Sequence, residues 1–329
     1  MMNKRSLLKA MGALPAACLC ALPVAAHAQA RPYPNRPITL VTPFGPGNSG
    51  DVLSRLLAQH LGALLEQQII VENRPGAGGV GAINQVAAAA PDGYTLLQIG
   101  TAAAISQSLF NPAPYDLLKS FVPVSALNTT DTLILVRKDS KLRKLDDFIR
   151  EAREKKGGLM VGVGLLGTAQ HLSAELFKLN TKVDYTIVPF KTASALNVAL
   201  VSGDVDVGFD LTTAMIGLLQ SGQLRALAIG NTKRSDLLPE VPTVAELGIP
   251  YFEVMSWGMV VAPVQTPDAI VQRLNQQIQL VLAQPEAAKR FRDMGLRVQG
   301  GSAAQARDFL ASEIVRWGKV IRDANVSLK

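Results

Sequence analysis

Short β-rich runs alternate with helical patterns along most of the chain. Ile38–Thr42 has the continuous apolar character of a buried strand, and 51–65 then places Leu53, Leu56, Leu57, Leu61 and Leu64 on one helical face. Residues 68–72 predict a second strand, 80–90 a helix, and 94–99 a third strand. This βαβαβ order favours a parallel sheet, because the crossover helices cover both of its faces.

The pattern restarts further on. Residues 133–136 predict a strand, and 145–155 a helix with Leu145, Phe148, Ile149 and Ala152 inward. A strand over 159–163 leads to a helix over 168–179 that turns Leu172, Leu176 and Phe177 inward, and 185–188 is the next strand. Val205, Val207 and Phe209 alternate with Asp204, Asp206 and Gly208, which predicts a strand with one face packed and one more exposed. Another short apolar run covers 224–229. A proline-rich stretch, 239–250, precedes the apolar run 254–262, which Pro263 ends. Two or three helices close the chain, the last opening at Ser302 with Gln305 placed for a capping box and with Leu310, Ile314, Trp317 and Ile321 inward. No polar linker separates the two α/β halves, so strands passing directly between them are expected to join them, with the C-terminal helices returning to the first half.

A length of 329 residues suits two domains of ordinary size, and 48% hydrophobic against 18% charged residues describes a chain that packs. The first thirty residues change the reading of charge. They hold Lys4, Arg5 and Lys9, no acid, an apolar stretch over 10–26, and the small-x-small patterns Ala26-His27-Ala28 and Ala28-Gln29-Ala30. This is an export signal in its composition, with cleavage expected near Ala28 or Ala30. Without it, 30 cations face 26 acids, a mild basicity with no Lys/Arg run of the nucleic-acid-binding kind. Cys18 and Cys20 also lie in the leader, so the exported chain carries no thiol for a disulfide, a nucleophile or a metal site.

Two places repeat one design. The strand ending at Thr42 runs into Phe44-Gly45-Pro46-Gly47-Asn48-Ser49-Gly50-Asp51 and a helix, and the strand ending at Val163 runs into Gly164-Leu165-Leu166-Gly167-Thr168 and a helix. Each sets a glycine-rich turn at the carboxyl end of a parallel strand, with a helix N-terminus behind it. Free N–H groups and the positive helix end favour an anion there, and the missing side chains admit close approach. The competing reading is of tight turns in which Ser49, Asp51 and Thr168 only cap helices.

Other motifs compete with these. Gly162-Val163-Gly164-Leu165-Leu166-Gly167 matches the dinucleotide fingerprint, which leaves a secreted oxidoreductase as an alternative. Against it, the following strand ends in Pro189-Phe190-Lys191, where a ribose-binding acid is wanted. Arg74–Gly81 resembles a phosphate cradle but lacks the Gly-Lys-Ser/Thr ending, and a turn before a helix accounts for it. His60 and His171 are not in metal-ligand spacing. Asp51 and Asp206 suit capping or solvated roles, while Asp210, at the carboxyl end of a strand, is placed to reach a cleft. No motif of an enzyme stands out, and no cofactor is called for.

Several blocks occur in an order that points to a family. They are Pro34–Val41 (PNRPITLV), Phe44–Asp51, Val71–Gly79 (VENRPGAGG), Ala90–Leu97 (APDGYTLL), His171–Phe177 (HLSAELF), Gly203–Asp210 (GDVDVGFD), Gly222–Ala228 (GQLRALA) and Pro239–Glu246 (PEVPTVAE), with Ser256-Trp257, Ala262-Pro263 and Thr266-Pro267. Together they closely resemble the Bug family, the periplasmic solute-binding proteins of tripartite tricarboxylate transporters, over essentially all of the exported chain. The resemblance implies an α/β, two-lobed periplasmic binding protein fold of type II-like form. Each lobe is a parallel-rich sheet flanked by helices, and a small carboxylate sits in the interdomain cleft. The expected division is a leader over 1–30, a first lobe from 31–132 and 257–329, and a second from 133–256.

Carried over, the gripping loops are Phe44, Pro46, Gly47, Asn48 and Ser49 in the first lobe and Gly164, Gly167, Thr168 and Ala169 in the second. Thr101 is expected to line the cleft, and Lys191 and Asp210 to contact the far end of the ligand. Three departures stand out: Asn48 and Thr192 replace usual glycines, and Ala169-Gln170 precede His171 where a small hydroxyl residue is common. The implied protein is a monomer outside the cytoplasm, not an enzyme, without metal, cofactor or nucleic acid. It hands its ligand to integral-membrane transporter subunits or, alternatively, presents it to a sensor.

Overall fold

The computed structural model describes residues 32–155, 157–250 and 252–327, so the leader, its cleavage point and both cysteines lie outside the described residues. The first half runs β1 (Ile38–Thr42), α1 (Ser49–Leu65), β2 (Ile69–Asn73), α2 (Val80–Ala87), β3 (Thr95–Gly100) and α3 (Thr101–Leu109). A single turn, α4 (Leu117–Ser120), leads into the long β4 (Phe121–Arg137). There follow α5 (Leu145–Glu154), β5 (Met160–Val163), α6 (Ala169–Thr181), β6 (Thr186–Pro189), α7 (Ala193–Ser202), β7 (Val207–Leu211), α8 (Thr212–Gln220) and β8 (Leu224–Ile229). The chain closes with β9 (Met255–Pro263), α9 (Asp268–Ala283), α10 (Pro285–Asp293), β10 (Arg297–Val298) and α11 (Ala303–Asp323).

The strands hydrogen-bond in the order β2-β1-β3-β9-β4-β7-β5-β6, with β8 and β10 also on β4. β1 is parallel to β2 and β3, and β5 is parallel to β6 and β7. The order reads the same from either end once each β1 is matched with β5. Two lobes of one design therefore flank the antiparallel pair β9–β4. β4 joins them: Phe121–Asp131 pairs with β9, and Thr132–Arg137 pairs with β7 and β8. At that passage the Gly230 N–H donates to the Thr132 carbonyl at 2.8 Å, and the Val254 N–H donates to the Gly230 carbonyl at 2.9 Å. Three chain segments thus meet where the strand changes lobe.

The apolar pattern accounts for the core. Leu53, Leu57 and Leu61 of α1 are 2–3% exposed, and Phe148 and Phe177 of the second lobe stack with centroids 5.4 Å apart. α11 begins with the Ser302–Gln305 capping box, lies on α3 and β4, and buries Leu310, Trp317 and Ile321 while Ile314 is half-buried. Three expectations are corrected. Leu64 is exposed and Leu65 buried, because the helix turns its last turn so that 65, four residues after Leu61, faces β2. β7 is buried on both faces, since it lies between β4 and β5 with helices on either side. The strand expected over 133–136 is only the last part of β4, whose earlier residues are equally buried.

Candidate functional site

A cavity of about 400 Å³ lies between the lobes, and the first turns of four helices face it: α1 through Asn48–Gly50, α6 through Thr168 and Gln170, α7 through Ala193, and α8 through Thr213 and Ala214. Its floor is the buried polar part of β4, Asn128 and Thr130, with Gln98 at the end of β3 and Ser256–Gly258 of β9. Gly258 has a steric reason: a Cβ there would lie 2.5 Å from Asn128 Oδ1. The Ser54 hydroxyl donates to Gln98 Oε1, which holds that amide in place.

The two glycine-rich loops, 120 residues apart, are built on one plan. Gly47 and Gly167 sit at φ +79° and +80°, a region that favours glycine. Each donates its N–H to a side chain four residues on, Gly47 to Asp51 Oδ2 at 2.8 Å and Gly167 to His171 Nδ1 at 3.1 Å. In each loop the next residue caps the helix. Asn48 Oδ1 accepts from the Gly50 N–H, and Thr168 Oγ1 accepts from the His171 N–H. The glycine amides expected to face a ligand are therefore engaged within the protein. The donors left toward the cavity are the uncapped N–H groups of the first helical turns behind them.

The loops differ by one exchange. Phe44 lies flat on Gly50, where a Cβ would come within 2.2 Å of the ring, whereas at the equivalent positions Gly164 leaves room for the side chain of Gln170. Phe44 thereby walls the cavity in the first lobe, and Gln170 lines it in the second, donating to Asp210 Oδ1 at 3.0 Å.

Asp51 anchors the first loop. It is 2% exposed and accepts from Gly47, from Arg55, and from Asn73 Nδ2 at 2.7 Å, while the same Asn73 amide donates to the Phe44 carbonyl at 2.9 Å. A solvated or capping role for Asp51 is corrected: the cap is Asn48. Burial works to raise the Asp51 carboxyl, but the hydrogen bonds of Asn73, Arg55 and Gly47 together hold it below the ordinary aspartate value. Asp210, also 2% exposed, stands differently. Burial pushes its carboxyl above the ordinary range, against hydrogen bonds from Gln170 and the Leu211 N–H.

Of the residues singled out from sequence, Phe44, Asn48, Ser49, Thr168 and Asp210 line the cavity together. Pro46, Gly47, Gly164, Gly167 and Ala169 shape the loops that carry them. Thr101 does not line the cavity: it is buried as the first residue of α3, its hydroxyl accepting from the Trp257 N–H at 2.9 Å. Lys191 is exposed just before α7, outside the lining. The sequence reading missed Gln98, Asn128 and Thr130, and the uncapped N-terminus of α8. A polar run, Asn128–Thr132, between two apolar runs was the one available signal for the floor.

The other candidates resolve locally. A Cβ on Gly162 would meet Leu196 at 2.4 Å, so this glycine of the dinucleotide fingerprint serves strand–helix packing. Residues 74–79 form a turn into α2. His60 Nδ1 contacts Gln284 at the start of α10, away from the cavity, and among the described residues no three His, Cys, Asp or Glu side chains gather as metal ligands.

Comparison with known proteins agrees with this architecture. Residues 53–326 match the model of the Tripartite tricarboxylate transporter family receptor, TctC. Protein BugT of Bordetella pertussis is 37% identical over 330 residues, covering all of both chains. Among solved structures, R. palustris Rpa4515 with adipate superimposes with a TM-score of 0.79 at 34% identity, over 90% of this chain and 99% of that one. MatC (Rpa3494) from Rhodopseudomonas palustris with bound malate gives 0.74 at 33%, over 88% and 100%. Sequence and fold together establish that the chain belongs to the tripartite tricarboxylate transporter receptor family.

Proposed function

We propose that this protein is a periplasmic receptor that captures a small carboxylate, of the dicarboxylate class, and delivers it to the membrane subunits of a tripartite transporter. The observation that carries this reading is the cavity itself. Four helix N-termini face it, and no lysine or arginine is among its lining residues. Such a site holds an anion by main-chain N–H groups and helix dipoles. Each charge-assisted hydrogen bond contributes roughly 1.5–3 kcal/mol. A few suffice for micromolar capture, about 8 kcal/mol, after the costs of ordering. The adipate and malate of the two related structures support the ligand class.

The lobes are taken as 31–132 with 257–329, and 133–256, working as a monomer. Closure is a hinge motion where β4 changes lobe, beside Gly230 and Val254, and the ligand favours the closed state by the extra contacts it makes there. Among the described residues no helix is long and apolar enough to cross a membrane. Calorimetric titration of the exported chain with adipate, malate and citrate tests the reading. One-to-one binding near micromolar by at least one supports it. No binding by any at millimolar concentration, with the protein folded, overturns it.

A further inference from the structure

We propose that the cavity binds its anionic ligand together with one proton, held by Asp210. The inference rests on the carboxylate reading above and adds to it the protonation state in which the site works. Asp210 is the single ionisable side chain among the cavity's lining residues. Its two hydrogen bonds, from Gln170 Nε2 at 3.0 Å and the Leu211 N–H at 2.7 Å, both go to Oδ1. Neither bond engages Oδ2, and Asp210, a lining residue, immediately precedes Leu211, the N-cap of α8, which supplies no side-chain acceptor. The N–H groups that best suit an anion are thus beside the one acid.

Two carboxylates a few ångströms apart resist joint ionisation when one of them is as buried as Asp210. Either the ligand brings a cation to Asp210, or Asp210 takes a proton and donates it in a hydrogen bond to the ligand. The surroundings favour the second. The charged groups on the neighbouring elements are engaged elsewhere or point to solvent. On α6, His171 accepts from Gly167 and lies beside Glu175. On β4, Asp131 pairs with Arg297 of β10. On α1, Asp51 pairs with Arg55, and Lys191 ahead of α7 is exposed. Without a nearby cation, burial dominates, and it already lifts the Asp210 carboxyl above the usual range before any ligand enters. A bound carboxylate lifts it further.

The test is titration calorimetry with adipate at pH 7–8.5 in buffers of different ionisation enthalpy, on the wild type and on Asp210→Asn. The carboxamide keeps an acceptor for Gln170 and Leu211 and presents a fixed N–H₂ donor where the protonated acid presents O–H. Expected for the wild type is uptake of up to about one proton per adipate, with affinity falling by up to about tenfold per pH unit above the Asp210 pKa. Asp210→Asn is expected to take up none and to bind adipate more tightly than the wild type at pH 8.5. 6-Aminohexanoate, which replaces one carboxylate by an ammonium, is the competing probe. Adipate binding without proton uptake overturns the proposal. So does tighter binding of 6-aminohexanoate than of adipate that Asp210→Asn abolishes. Failure of every carboxylate to bind would instead overturn the receptor reading itself, so the two failures are distinguishable.

Discussion

Replacing Asp51 by alanine tests how the first loop is held. The side chain accepts from Gly47 at 2.8 Å and from Asn73 at 2.7 Å, and it pairs with Arg55 across one helical turn. Hydrogen bonds to a charged group contribute about 1.5–3 kcal/mol each. Gly47 and the Arg55 side chain are largely exposed and regain water when the carboxylate is removed, whereas Asn73 is half-buried, and its amide N–H₂ keeps its bond to the Phe44 carbonyl while its Oδ1 keeps the one from Arg55. The net loss is therefore expected near the lower end for two bonds, about 3 kcal/mol. At this chain length that corresponds to roughly 5 °C in Tm.

The loss should also depend on pH in a definite sense. The folded-state pKa of Asp51 lies below its unfolded value, so its contribution is fully present above the unfolded pKa near ~3.9 and disappears as pH falls through the folded value. Urea unfolding of wild type and Asp51→Ala should accordingly show a gap that is constant above pH 5 and narrows below the ordinary aspartate pKa. A variant as stable as the wild type at pH 7, or a gap that widens on acidification, would refute this account of the loop.

Three further outcomes follow from the same geometry. In Gly50→Ala the new Cβ would stand 2.2 Å from the Phe44 ring and drive it from its seat. Overpacking of about 1–3 kcal/mol is then partly offset by better helix propensity, while calorimetry should show adipate affinity down by at least about tenfold. Glu313 of α11 is buried and accepts from the indole N–H groups of Trp257 and Trp317 at 2.7 and 3.1 Å. Glu313→Ala should cost about 3–5 kcal/mol in denaturant unfolding, and Glu313→Gln, which keeps an acceptor, distinctly less. Asp210 carries a raised pKa, so the wild type loses stability as pH rises from the unfolded value through the folded one. Asp210→Asn should therefore melt above the wild type at pH 8, by a margin that closes toward pH 3.

Most elements follow from local pattern, because β1, β3 and β5 are short apolar runs bounded by glycine or proline, and α1, α5 and α6 each carry an apolar helical period. The first part of β4 does not. Ser125 and Asn128–Asp131 break its alternation, two register shifts interrupt its ladder with β9, and its polar groups are buried by tertiary partners that no local window contains. The same gap hid the cavity floor. The paired glycine loops were legible as a repeated strand–turn–helix design, and their Asn48, Ser49 and Thr168 line the cavity. What those loops spend their amides on was not legible, since Gly47 and Gly167 bond to side chains one helical turn later. Lys191 and Thr101 show the opposite limit. Position at the end of a strand is a local property, but facing the cavity depends on the turn that follows.

The most direct measurement is a crystal structure of the exported chain grown with adipate. The account predicts a carboxylate between the lobes, its oxygens about 3 Å from main-chain N–H groups in the first turns of α1, α6 or α8, with Asp210 alongside. Adipate seated on an outer surface, or held between the lobes by lysine or arginine side chains alone, would contradict it.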